Sequence, residues 1–242
     1  QADSRGIEAQ QKLIIEKVKM VSRVRIETLQ RIRTGSFKDK QDQKHPREAS
    51  SICTIGVGEG GYGALLKLIP RLDANLSAAW VVIHHAPESQ VEAFAKYLDE
   101  NSAVTVRRAR DKDPLWSGYC YLVPGNSAAI LSRAAIGYQI RVGAAPVTQK
   151  RETIDLLIRS LSRAALQTAI GVVLTGGGED AAQGAAELIR SGGRVMIQNP
   201  DTCLFKSMPV NTIKKCHQAS IVPIGMMADK INTYLSQKSY PL

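Results

Sequence analysis

Long apolar runs are missing from this chain. No stretch approaches the roughly 18 residues that a membrane-spanning helix needs, and the first residues lack the apolar core of a secretion signal. A soluble, cytoplasmic protein without membrane insertion is the expectation. Paired cysteines are missing too. Cys53, Cys120, Cys203 and Cys216 are scattered, with no Cys-x-x-Cys among them, which argues against a zinc site. In a chain of 242 residues the same scatter argues against a disulfide framework and fits a reducing compartment. Cys53 and Cys120 fall inside apolar, strand-like runs and read as small buried hydrophobes. Aromatic residues are few, at 5%, and none is interleaved with the basic residues before Phe37. Single-stranded nucleic acid would find no stacking platform there. Nothing in the sequence implies a metal or an organic cofactor.

What is present is ordinary globular composition, with 44% hydrophobic and 22% charged residues. The net charge is +10, and residues 1–50 carry 12 Lys/Arg against 7 Asp/Glu, so half of the excess lies in about one-fifth of the chain. A basic appendage facing an acidic protein surface accounts for this at least as well as nucleic acid does. Residues 7–33 read as one helix, with Ile14, Val18, Val21, Leu29 and Ile32 near one stripe and basic residues on the rest. Its stripe needs a cover, from the main domain, a second copy or a further domain. Residues 34–50 turn polar and aperiodic, with Gly35 and Pro46, and read as a linker. Residues 51–242 form the main domain.

From Ser51 short apolar runs alternate with helical stretches. The runs are Ile52–Val57, Ala79–Ile83, Ile170–Leu174 and Val195–Ile197, and the helices lie near Tyr62–Ile69, Val91–Asn101, Ile154–Ala165 and Asp180–Ile189. This pattern predicts an α/β fold: a doubly wound, mainly parallel sheet with helices on both faces. Between Val104 and Val142 helices vanish, and four runs (Val104–Val106, Tyr119–Val123, Ala128–Leu131, Tyr138–Val142) predict antiparallel strands inserted at one edge.

Ligands gather beyond the carboxyl ends of parallel strands, and three predicted strand ends are unusual. They read Ile55-Gly56-Val57-Gly58-Glu59-Gly60-Gly61, Ile83-His84-His85-Ala86-Pro87 and Leu174-Thr175-Gly176-Gly177-Gly178-Glu179-Asp180. Taken alone, Gly56, Gly58 and Gly61 match a dinucleotide-binding G-x-G-x-x-G. The acid expected at the end of the second strand is absent, because His84 and His85 stand there. Taken together, the three ends resemble the catalytic domain of CheB-type protein-glutamate methylesterases. The resemblance extends through Tyr121-Leu122-Val123-Pro124-Gly125, Pro146-Val147, Thr153, Asp155, Gln198-Asn199 and Met208-Pro209, and so covers nearly all of residues 51–235. The N-terminal helix and linker also look like the end of a receiver domain and its connector.

The resemblance implies a protein-glutamate methylesterase and glutamine deamidase acting on chemoreceptors. It also implies a serine nucleophile, a histidine base and an aspartate that orients the histidine, because a serine hydroxyl attacks poorly until an imidazole takes its proton. His85 matches the base, Asp180 the orienting acid and the Gly177 backbone N–H the oxyanion donor. The nucleophile position is Gly58, which has no side chain to attack with, and Glu59 follows it where the family favours a small polar residue. Two readings stand. In one, the domain has lost serine-hydrolase chemistry and serves chemosensory or two-component signalling, its partners a chemoreceptor or another signalling protein with an acidic surface and a receiver domain in cis or in trans. In the other, Glu59 works with His85 and Asp180 to activate water, and the domain still hydrolyses glutamyl methyl esters or amides. More ordinary roles also fit: His84 as a strand-end histidine, Asp180 as a helix cap, Arg151 as a surface arginine, and Asp111 to Pro114 as a surface turn.

Overall fold

A computed structural model describes residues 46–145, 152–164 and 169–238. The predicted helix over 7–33, the linker as far as 45, and Pro146, Val147 and Arg151 lie outside the described residues. The last residues of the predicted linker already run along the domain. The Ala49 N–H donates to the Leu115 carbonyl at 3.1 Å, the Ser50 N–H donates to the Ser77 carbonyl at 3.0 Å, and Glu48 bridges Trp116. A small apolar residue at 49 lets this stretch bury itself without a helix or strand of its own.

Ten strands are described: β1 (Ser51–Val57), β2 (Ala78–His84), β3 (Thr105–Arg108), β4 (Asp113–Pro114), β5 (Tyr119–Pro124), β6 (Ser127–Arg133), β7 (Tyr138–Ala144), β8 (Ala169–Val173), β9 (Arg194–Gln198) and β10 (Ser220–Val222). The α-helices are α1 (Gly61–Leu68), α2 (Glu88–Glu100), α3 (Thr153–Ala164), α4 (Ala182–Arg190), α5 (Ser207–Lys215) and α6 (Ile224–Lys238). Seven strands form one parallel sheet in the order β10-β9-β8-β1-β2-β5-β3, and β4, β7 and β6 form a separate antiparallel sheet.

Every residue of β1 and β2 is buried, because helices cover both faces, and such strands read as continuous apolar runs. The pleat sends Cys53, Ile55, Val57, Trp80, Val82 and Leu122 to one face, against α1, α2 and α6. It sends Ile52, Val81, Ile83, Tyr121 and Val123 to the other, against α3, α4 and the antiparallel sheet. Each large side chain fully removed from water contributes about 1.5–3 kcal/mol. Two of the four runs predicted as antiparallel, Val104–Val106 and Tyr119–Val123, pair in parallel instead, as β3 and β5 at the edge of the main sheet. Parallel neighbours need a crossover. Here it is the irregular segment between them, which lends β4 to the other sheet and so carries no helical periodicity.

Chain order places β1 at the centre, with β2 on one side and β8 on the other. The direction of winding therefore reverses between β1 and β8, the position where doubly wound folds open a crevice. Gly56 sets the neighbouring helix. A Cβ built on it would lie 2.1 Å from Ile154 Cγ2, so only glycine lets the first turn of α3 rest on β1.

Candidate active site

The three predicted strand ends meet at this reversal. The Gly58 N–H donates to the Thr175 carbonyl at 3.0 Å, and the His85 N–H donates to the Val57 carbonyl at 3.1 Å. A Cβ built on Gly58 would stand 3.0 Å from Gly176 Cα and 3.5 Å from Gly177 N, and Gly58 is not among the residues of positive φ. The turn after β8 is held by a second loop. Thr175 Oγ1 lies 3.1 Å from both the Glu59 and Phe205 carbonyl oxygens and accepts from the Phe205 N–H at 2.9 Å. The Gly176 carbonyl accepts from the Met208 N–H at 3.0 Å. One threonine hydroxyl thus ties the ends of β1 and β8 to the 203–208 loop.

His85 is partly exposed and stands beside both Thr153 and Asp180. Its Nε2 lies 3.1 Å from Thr153 Oγ1 and 3.5 Å from Asp180 Oδ2, the latter beyond a good hydrogen bond. Thr153 is fully buried. In the sequence it was legible only as part of the resemblance, since a threonine opening a helix is an ordinary residue there and its proximity to His85 is a tertiary matter. Asp180 is buried and saturated with backbone donors. Its Oδ2 accepts from the Ile154 N–H at 3.1 Å, and its Oδ1 accepts from the N–H groups of Asp155 and Ala181 at 2.8 Å each. It caps a helix, as its type allowed, but the helix is α3 rather than the α4 that follows it. Free N–H groups of a helix's first turn favour a carboxylate there. Ala181, next in the chain, has φ 77°, a left-handed backbone unusual for alanine and a mark of local strain beside the site.

Glu59 reaches the opposite wall, where its Oε2 accepts from the Gly177 N–H at 2.7 Å. Its carboxyl is held below the usual glutamate range by a hydrogen bond from its own N–H first, then by the Gly177 N–H, with the His85 imidazole adding to the effect. A water-activating base needs its affinity for protons raised, so the environment of Glu59 works against the role of alternative base. His84 takes no part in the chemistry. It is buried edge-on against Tyr62, with ring centroids 4.4 Å apart, and burial, then His85, pushes its pKa down to about 4, so it is a neutral packing residue. The glycine fingerprint is likewise explained by packing, since a Cβ on Gly61 would lie 2.7 Å from Val57 Cγ2. Cys53 and Cys120 are buried thiols in the sheet, and the four cysteines are unpaired. Among the described residues no cluster of His, Cys, Asp and Glu is arranged to hold a metal ion. A cavity of about 570 Å³ lined by Arg190, Lys215 and His217, at the carboxyl ends of α4 and α5, includes none of the candidate site residues.

Asp155 gives the site a pH dependence. It accepts from the Gly184 N–H, and its carboxyl is pushed up to about 6 by burial, the Gly184 bond opposing and Asp180 adding repulsion. A folded pKa raised above the unfolded value means a contribution that is full below about pH 4 and lost as pH rises through 6. The loss is on the order of 3 kcal/mol. Asp155→Asn keeps an acceptor for Gly184 without the charge, so the variant should gain stability relative to the natural chain as pH rises from 4.5 to 7.5. Urea midpoints across that range would show it, and parallel profiles for the two chains would refute it.

The family model for CheB methylesterase matches residues 53–231, and the chain belongs to that family. It is 32% identical over 181 residues to protein-glutamate methylesterase/protein-glutamine glutaminase 3 of Geobacter metallireducens, covering 74% of this chain and 51% of the relative. It is 33% identical over 194 residues to the corresponding protein of Bordetella bronchiseptica, covering 79% of this chain and 55% of the relative. The chain therefore spans about half the length of these curated relatives. The crystal structure of the Thermotoga maritima CheB methylesterase catalytic domain superposes with a TM-score of 0.71 at 26% identity, covering 76% of this chain and 97% of that one. The fold is that of the CheB catalytic domain. Among the described residues no helix is long and apolar enough to cross a membrane.

Proposed function

We propose that this chain is a chemosensory signalling protein whose methylesterase domain has lost serine-hydrolase chemistry and acts through binding. The observation that carries the reading is the space at Gly58. A side chain there would stand beside the Gly177 N–H, with His85 arriving from the end of β2, and glycine supplies none. Loss of a triad nucleophile removes on the order of 10⁶ in turnover, leaving only what binding and the oxyanion donor supply. The partner is a chemoreceptor or another signalling protein with an acidic surface, which a net charge of +10 favours. A receiver domain in cis or in trans completes the assembly, and unpaired cysteines support a cytoplasmic setting.

Methanol release from methylated chemoreceptor tests the reading directly. The natural chain should release no more methanol than a control without protein, while still binding the receptor. Release well above the control and abolished by His85→Ala would refute it. If Glu59→Gln abolished that release as well, the water-activating hydrolase would be established in its place.

A further inference from the structure

The Glu59 carboxylate stands where a substrate oxygen would have to go. Its Oε2 takes the Gly177 N–H at 2.7 Å, and that same nitrogen lies 3.5 Å from a Cβ built at Gly58. The donor beside the missing nucleophile is therefore already engaged, by a carboxylate of the chain itself. Little ordering is needed to bring it there. The Gly58 N–H and the Glu59 carbonyl are both tied to Thr175, and Gly60, in the left-handed region at φ 80°, turns the chain away immediately afterwards. Only the Glu59 side-chain torsions remain to be fixed, and a charge-assisted bond to a backbone N–H is stronger than a neutral one. Its surroundings keep the group ionised, as described above.

We propose that Glu59 is an intramolecular ligand of the Gly177 anion position, which closes that position to the carbonyl or carboxylate of an incoming glutamyl side chain. The proposal rests on the reading of this cleft as one without its nucleophile, and deepens it: the cleft is occupied as well as disarmed. A serine introduced at position 58 would then face an oxyanion donor held by a competing anion.

Two measurements test it, and the first needs no catalysis. In the full natural chain at neutral pH, the Gly177 amide proton should be shifted downfield and exchange slowly with solvent. Glu59→Ala should abolish both signatures, whereas an unchanged Gly177 amide would overturn the contact. This readout is independent of methanol release, so an active natural chain would sink the proposed function and leave the contact to be judged separately. The second measurement uses a fluorophosphonate probe on two variants, Gly58→Ser alone and Gly58→Ser with Glu59→Ala. The serine oxygen bonds to phosphorus, its proton passes to His85, and the phosphorus–fluorine bond breaks to release fluoride. One oxyanion donor is worth about 10²–10³ in such a step, so the double variant should label roughly 10²-fold faster, read as the mass of the adduct. Equal labelling of the two variants, or none in either, would overturn the blockade.

Discussion

Gly58→Ser combined with Glu59→Ala is expected to raise methanol release from methylated receptor by several orders of magnitude over the natural chain. Three features of the structure support so large a gain. First, Gly58 does not lie in the left-handed backbone region, so serine is not excluded by its dihedrals. Second, the new Cβ would meet Gly176 Cα at 3.0 Å. That neighbour must yield by a few tenths of an ångström; it carries no side chain of its own, but it moves against its hydrogen bonds to Phe205 and Met208 and against the Met208 side chain behind it. Third, the remaining parts are in place. His85 Nε2 is within hydrogen-bond distance of Thr153, with Asp180 farther off at 3.5 Å, and the Gly177 N–H is released once Glu59 is shortened. Recovery should fall short of the full 10⁶ or so that separates a complete triad from one without its nucleophile, because the 3.5 Å separation between His85 and Asp180 is long for an orienting bond. A natural level of release from the double variant, with its fold intact by circular dichroism, would mean that supplying the hydroxyl and freeing the Gly177 N–H do not rebuild the site, and would count against the blockade as well as against the His85 geometry.

Asp180→Ala should produce the largest loss of stability among single changes in the site. The substitution leaves the N–H groups of Ile154, Asp155 and Ala181 without the carboxylate they share, in a place where the residue is only 7% exposed. Each buried donor left unpaired costs about 1–3 kcal/mol. Asp155 offsets part of this, because the repulsion that helps raise its pKa disappears. The net cost should be about 3–5 kcal/mol, read as a lower urea midpoint with the slope unchanged. A loss below about 1 kcal/mol would show that water replaces the carboxylate and that Asp180 matters little to the first turn of α3. Because Asp180 holds α3, the same change should displace Thr153, so its effect on His85 cannot be read from activity alone. Thr153→Val separates the two, removing the hydroxyl near His85 while leaving the cap.

The glycine-rich strand ends and the two histidines were legible in the sequence because local chemistry constrains them. A glycine opposite a packed helix or a left-handed turn has few substitutes, and buried strands covered on both faces announce themselves as unbroken apolar runs such as Ile52–Val57. The segments that escaped lack such a signature. β10 is three residues long with two of them exposed, and β3 and β5 are joined by a stretch with no helical period. The expectation that Gly58 stands at the nucleophile position rests on the resemblance alone, since a glycine by itself marks no such position. What Glu59, Thr153 and Asp155 do was decided only by the tertiary structure. Glu59 and Gly177 are 118 residues apart and His85 and Thr153 are 68 apart. Their meeting depends on the order of β1, β2 and β8 in the sheet and on how closely Gly56 lets α3 approach. Whether a carboxylate serves as a base, a cap or an occupant of an anion site depends on which N–H groups surround it. A sequence names the carboxylate; packing supplies the donors.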